Sequence, residues 1–248
     1  MEANSVAAGP GSSMNSRGVL VTGTDTGVGK TWASAAWIRC GARRGLRVGA
    51  MKPVATGAVR NEQGKWQHED VLRLRQVINI EESDVEINPY CFAPPISPDI
   101  AARQVGQEIH LEAVREYVRQ LELRTDLVVV EGVGGWRTPL TEQKTVADLA
   151  RILEYPVILV IGLRLGCINQ GRLSVEAIDR DGVPCVGWIG NRVDPALEEP
   201  EEVMATLRRS LPVPCLGVLP YLSQPACDPL AHALDKGFES WFGSDGCD

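Results

Sequence analysis

Gly18-Val19-Leu20-Val21-Thr22-Gly23-Thr24-Asp25-Thr26-Gly27-Val28-Gly29-Lys30-Thr31 reads as a short apolar strand running through a glycine-rich turn into Gly-Lys-Thr. The residues that follow, Trp32-Ala33-Ser34-Ala35-Ala36-Trp37-Ile38, suit a helix. Strand, glycine turn and helix start, in that order, form a phosphate-binding loop. Successive backbone N–H groups and the positive end of the helix dipole surround the phosphates of a nucleotide. In such a loop Lys30 reaches the β- and γ-phosphates and the Thr31 hydroxyl ligates Mg²⁺. The spacing departs from the usual G-x-x-x-x-G-K-[ST] by one place: Thr24 stands where the first glycine is expected, and Gly23 lies one residue earlier. The competing reading is a glycine-rich strand-to-helix turn with no ligand; Gly23 and Gly27 ahead of Gly-Lys-Thr weigh against it.

Outward from this loop, strand-like apolar runs alternate with amphipathic ones, the pattern of an α/β fold with a mostly parallel sheet flanked by helices. The pattern predicts strands at 18–23, 47–52, 126–131, 156–162, 184–190 and 215–218, and helices at 30–44, 68–78, 110–124, 145–154, 168–181 and 199–210. Continuous runs such as Leu127-Val128-Val129-Val130 and Val157-Ile158-Leu159-Val160-Ile161 suit strands buried on both faces. Residues 53–67 and 79–99 read as irregular, the latter because of Pro89, Pro94, Pro95 and Pro98. With no internal repeat and no linker, the reading is one domain over 17–225, a disordered leader at 1–16 and a C-terminal segment at 226–248 belonging to the same domain.

Composition narrows the partners. A net charge of -7 argues against nucleic acid. No apolar run approaches the ~20 residues that span a bilayer. The small, polar residues from Met1 to Arg17 contain no secretory apolar region, so a cytoplasmic protein is expected. Seven cysteines without C-x-x-C spacing suggest reduced thiols, and His68, His110 and His232 form no metal-ligand motif.

In an open parallel sheet, ligands collect at the carboxyl ends of the strands. Lys52 ends the second predicted strand, in Lys52-Pro53-Val54-Ala55-Thr56-Gly57, and would share the crevice with the phosphate loop. Glu131 closes the third in Val130-Glu131-Gly132-Val133-Gly134-Gly135-Trp136, where phosphate-loop enzymes place a Mg²⁺-linked carboxylate. Asp70 begins a helix, and capping or first-turn charge is its simplest explanation, with metal binding as the other. Asn191 and Arg192 end the fifth strand; an amide there suits a nucleobase edge, and an ordinary turn would look the same.

Taken together, Val21-Thr22-Gly23-Thr24-Asp25-Thr26-Gly27-Val28-Gly29-Lys30-Thr31, Lys52-Pro53-Val54-Ala55-Thr56-Gly57, Asn88-Pro89-Tyr90, Val130-Glu131-Gly132-Val133-Gly134-Gly135-Trp136, Leu165-Gly166-Cys167-Ile168-Asn169 and Gly187-Trp188-Ile189-Gly190-Asn191 resemble the dethiobiotin synthetase family. The one-place shift in the phosphate loop is itself the family's form. The resemblance implies a homodimeric ATP- and Mg²⁺-dependent ligase that carboxylates 7,8-diaminononanoate with CO₂ and closes a cyclic urea. It implies Lys30, Lys52 and Thr26 as catalytic residues and Thr31, Asp70 and Glu131 as metal ligands. The substrate would meet Thr26, Thr56, Gly134, Cys167 and Asn169. The nucleotide would meet Gly27, Val28, Gly29, Lys30, Thr31, Trp32, Gly132, Val133 and Gly134 around its phosphates. Asn191, Arg192, Leu219, Pro220 and Tyr221 would surround its base. Departures are Gly27 and Thr56, where some members carry glutamate and serine, Arg164 for a lysine, and Arg192 for an aspartate. Two other classes share this loop. A cobyrinate-type amidoligase normally carries a fused glutaminase domain, for which 248 residues leave no room. A partitioning-type regulatory ATPase usually has a second lysine early in the loop, and residues 23–29 contain none.

Overall fold

The computed structural model describes residues 17–243; the leader expected at 1–16 and residues 244–248, with Cys247, lie outside the described residues. In chain order, β1 (Arg17–Gly23) leads through the glycine turn into α1 (Lys30–Arg43), followed by β2 (Val48–Met51). Then come the short strands β3 (Val54–Thr56), β4 (Val59–Arg60) and β5 (Trp66–Gln67), α2 (Glu69–Arg75), the single turn α3 (Asp84–Ile87), β6 (Tyr90–Phe92) and α4 (Pro98–Gln104). The second half runs α5 (Leu111–Glu122), β7 (Leu127–Glu131), α6 (Val146–Leu153), β8 (Val157–Gly162), α7 (Cys167–Arg180), β9 (Cys185–Asn191), α8 (Pro200–Ser210), β10 (Cys215–Leu219), α9 (Cys227–His232) and α10 (Asp235–Gly243).

Six strands form one parallel sheet in the order β10-β9-β8-β1-β7-β2. Every residue of β7 and β8 is buried, as continuous apolar strands covered on both faces must be. Alternation along β1 sends Val19 and Val21 to one side, against Trp37 and Ile38 of α1, Leu74 of α2 and Phe238 of α10. Leu20 points to the other, with Val118 of α5, Leu149 of α6, Val175 of α7 and Leu207 of α8. Each predicted strand and helix has its counterpart. The largest difference is the helix expected over 68–78, which ends at Arg75; the Val77 N–H turns back to the Leu74 carbonyl at 3.1 Å and tightens the last turn.

The irregular stretches hold more order than their prolines suggest. Ser83 and Glu86 form a reciprocal capping box that winds α3. β6 pairs in parallel with β3, Val54 opposite Tyr90 and Thr56 opposite Phe92. Pro89, Pro94 and Pro95 flank β6 without interrupting it, and Pro98 opens α4. Residues 227–243, which carry no clear periodicity, fold as α9 and α10 against α1, with Trp37 and Phe238 ring centroids 5.0 Å apart.

β2 is the outer strand of the sheet, and residues 79–87 close its open side. The Val48 N–H donates to Asn79 Oδ1 at 2.8 Å and the Ala50 N–H to Glu82 Oε1 at 2.9 Å. The Lys52 N–H donates to the Ile87 carbonyl at 2.7 Å. An unsatisfied edge is thereby blunted, and the strand end that carries Lys52 is tied down. Among the described residues no helix is long and apolar enough to cross a membrane.

Candidate active site

The phosphate loop lies at the carboxyl end of β1, between β7 and β8. Gly27 and Gly29 adopt left-handed backbone, with φ of 74° and 85°. At Gly29 a Cβ would also come within 1.9 Å of Asn191 Nδ2, so no side chain fits there. Asn191, at the end of β9, donates from that nitrogen to the Val28 carbonyl at 2.9 Å and braces the loop from below. Val28 turns its own side chain into the core and offers only its backbone to a ligand. Lys30 Nζ donates to the Asp25 carbonyl at 2.8 Å, so the loop curls around its own lysine. Burial, reinforced by the nearby Lys52 ammonium, pushes the Lys30 amine down to about 8. Asp25 is held in turn by Arg164 at 2.7 Å and by the Thr26 N–H at 2.7 Å.

Beside the loop stands a knot of polar groups drawn from α1, the end of β2, α2 and β7. Lys52 Nζ lies 2.6 Å from Glu131 Oε1 and 2.8 Å from Asp70 Oδ2, and it reaches the Gly132 carbonyl at 3.3 Å. Glu131 is fully buried, and its Oε1 also accepts the Thr31 hydroxyl at 2.8 Å. Burial would discharge the lysine, but the two carboxylates override it and hold its amine above the ordinary range. Burial would likewise raise Asp70; the Lys52 charge prevails and draws that carboxyl down to about 2. The cap expected of Asp70 is supplied instead by His68. Its Nδ1 accepts the Asp70 N–H at 3.1 Å and its Nε2 meets the Thr56 carbonyl at 3.0 Å. With the cap made by the imidazole, the Asp70 carboxylate is free to face Lys52.

This chemistry fits a hard divalent cation. Glu131 Oε2 is buried with no hydrogen-bond partner, an orphan that a cation would satisfy. Among the described residues no three His, Cys, Asp or Glu side chains gather into a closed metal cage. Two carboxylates and a hydroxyl are, however, the sparse oxygen set with which Mg²⁺ binds when phosphates supply further ligands.

Around the knot opens a cleft of about 700 Å³. Thr26, Gly27, Gly29, Lys30, Thr31 and Trp32 form its floor, Lys52, Thr56, Asp70 and Glu131 one side, and Val133 and Gly134 another. The cleft also takes in His68 and Arg73, which sequence reasoning missed. His68 caps α2 and Arg73 lies in its last turn, places where a cap and a helix-face cation look like ordinary surface chemistry.

Other expected residues are not brought there. Cys167 is 2% exposed and packed in the core under α7, so its thiol cannot meet a substrate; Asn169 is exposed on the same helix, outside the cleft. Leu219 is fully buried against Phe238 and its neighbours, so its side chain cannot line a base pocket. Pro220 and Tyr221 are exposed beyond β10, and Arg192 turns away to Glu201 at 2.6 Å.

A family model described as an AAA domain matches residues 17–226. The chain is 45% identical over 213 residues to the ATP-dependent dethiobiotin synthetase BioD of Xanthomonas oryzae pv. oryzae (strain PXO99A), a match covering 86% of this chain and 94% of that one. It is also 45% identical over 217 residues to the enzyme of the same name from Pseudomonas aeruginosa (strain UCBPP-PA14), covering 87% and 95%. In fold it is similar to the septum site-determining protein MinD from Pyrococcus horikoshii OT3, solved with Mg-ADP. The TM-score is 0.58 at 16% identity, over 93% of this chain and 98% of that one.

Proposed function

The chain belongs to the family of ATP-dependent dethiobiotin synthetases, ligases of biotin synthesis, and on that footing we propose how its own residues perform the ring closure. The observation that carries the reading is one cleft lined by Lys30 together with Lys52, Thr31, Asp70 and Glu131, the last four joined by hydrogen bonds and ion pairs.

In the proposed reaction a neutral amine of 7,8-diaminononanoate attacks CO₂ and loses its proton, giving a carbamate. The carbamate oxygen takes the γ-phosphoryl group of ATP and releases ADP. The second amine attacks the carbamate carbon and expels phosphate, closing the cyclic urea of dethiobiotin. None of these steps needs a protein nucleophile. What they need is alignment and positive charge where negative charge develops. Lys30 follows the phosphate loop and addresses the γ-phosphate and the carbamate. Phosphate beside it restores the charge that burial diminishes. Lys52 sits across the cleft and stabilises the transferring group. Thr26 and Thr56 hydrogen-bond carbamate or phosphate oxygens, and the N–H groups from Gly27 to Trp32 cradle the nucleotide. Thr31, Asp70 and Glu131 would hold Mg²⁺, which neutralises charge on the phosphates when bound. Asn191 acts through the loop it braces as well as at the base. A cytoplasmic homodimer is proposed, with the exposed Leu165 and Asn169 presented toward the partner.

Supplying isotope-labelled bicarbonate, the diamine and MgATP tests the assignment. Label is expected in the urea carbon of dethiobiotin, with one phosphate released per ring. ATP hydrolysis without label in any urea product would overturn it.

A further inference from the structure

We propose that Arg73 is a phosphate-binding side chain for the nucleotide, carried on α2 and held in place by Trp32. The proposal rests on the reading of the cleft as an ATP site. Asp70 and Arg73 are three residues apart and share a face of α2, so the helix that presents the carboxylate also presents a cation. The guanidinium carbon lies 3.6 Å from the centroid of the Trp32 ring. Trp32 is the third residue of α1, within the turn whose free N–H groups point to phosphate. Arg73 and Trp32 both line the cleft that contains Lys30 and Thr31.

Stacking occupies the face of a guanidinium and leaves its edge, where the five N–H donors lie, directed sideways. One donor goes to Glu69 Oε1 at 2.5 Å. That carboxylate is 80% exposed, whereas the arginine side chain is only 19% exposed. An exposed i, i+4 ion pair is weak, and a bound phosphate competes for the same edge. The geometry therefore gives Glu69 a second meaning: it occupies the cation that the nucleotide uses.

That opposition separates the proposal from a purely structural pair pinning α2 to α1. MgADP binding to the full chain is measured by calorimetry, with kcat and the KM for ATP alongside. Arg73→Ala is expected to weaken MgADP about tenfold and to raise the KM for ATP similarly, while kcat at saturating ATP stays within about twofold. Arg73→Lys, which lacks the fork and the flat stacking face, falls in between. Glu69→Gln is expected to tighten MgADP about twofold, the opposite sign. MgADP affinity unchanged in Arg73→Ala, or weakened alike in Arg73→Ala and Glu69→Gln, would overturn the proposal. Should Arg73→Ala not fold, Glu69→Gln and Trp32→Leu decide it, the latter expected to weaken MgADP about threefold by releasing the stack. Failure of the unaltered chain to bind MgADP would sink the ATP-site reading itself. Normal binding there with an unaffected Arg73→Ala overturns only the role of Arg73.

Discussion

Glu131 ends β7 and Glu82 lies against its neighbour β2; both are buried glutamates, and they live in opposite electrostatic worlds. Each presents one oxygen to a partner and leaves the other without one. Glu131 meets an ammonium at 2.6 Å. Glu82 meets only the Ala50 N–H at its carboxylate. The cations nearest to it are occupied elsewhere: Arg75 holds Asp84 and the Glu82 carbonyl, and Arg124 holds Glu86 and the Glu81 carbonyl. With Glu86 adding negative charge, burial prevails over the Ala50 N–H and pushes the Glu82 carboxyl up to about 7. Burial is common to both side chains; what distinguishes their surroundings is a cation within hydrogen-bond distance, present at Glu131 and absent at Glu82.

Removing that cation should produce the largest effect. Lys52→Gln is expected to lower kcat about a thousandfold, because in the proposed reaction its charge acts mainly in the transition state, and to leave the KM for ATP within a few fold. Steady-state kinetics at saturating diamine check this. Equal loss in both parameters would recast Lys52 as a nucleotide-binding residue.

The second break concerns Glu82. Its folded value of about 7 lies above the ordinary 4.5, so the stabilisation it provides is complete below pH 4.5 and lost as pH rises through 7. The full ramp is worth about 3 kcal/mol. Glu82→Gln keeps an acceptor for the Ala50 N–H and cannot ionise, so its denaturant midpoint should be flat where that of the unaltered chain falls. At pH 8 it should be the more stable protein. Parallel curves for the two proteins would refute this.

Asp70 gives the smaller effect and the opposite slope. Its folded value of about 2 lies below the ordinary 3.8, so its contribution is present above pH 3.8 and lost as pH falls toward 2. The ramp is about 2 kcal/mol. Asp70→Asn should lack this acid arm. The difference between variant and parent in chemical denaturation across that interval is the readout, and no difference would mean Lys52 does not charge-pair with Asp70.

The half of this comparison beside the phosphate loop was legible in the chain, and the other half was not. The phosphate loop, Lys52 and Glu131 announce themselves because each ends or follows an apolar strand, where sidedness is a matter of period and position. Glu82 lies in a stretch whose neighbours, Ile80, Glu81 and Ser83, carry no pattern. Its meaning appears only when β2 proves to be the edge of the sheet. Arg73 escaped for a related reason: only the crossing of α2 over α1 brings it to Trp32. The error at Cys167 came from treating a run of matching residues as though all its side chains faced one way. A helix buries one position in every three or four, and in α7 the thiol falls on that inner face with Gly171, Val175 and Ile178.

The strand order has a consequence for how the protein is made. β1 carries the phosphate loop, yet its two neighbours in the sheet begin at Leu127 and Val157. No local hairpin can nucleate around it, and the closing contact, Arg17 donating to the Phe242 carbonyl at 2.6 Å, spans 225 residues. Contacts of such sequence separation form slowly and late. On the ribosome β1 must therefore wait, apolar and unpaired, until β7 has been made. An unpaired apolar strand is exposed to aggregation for as long as it waits.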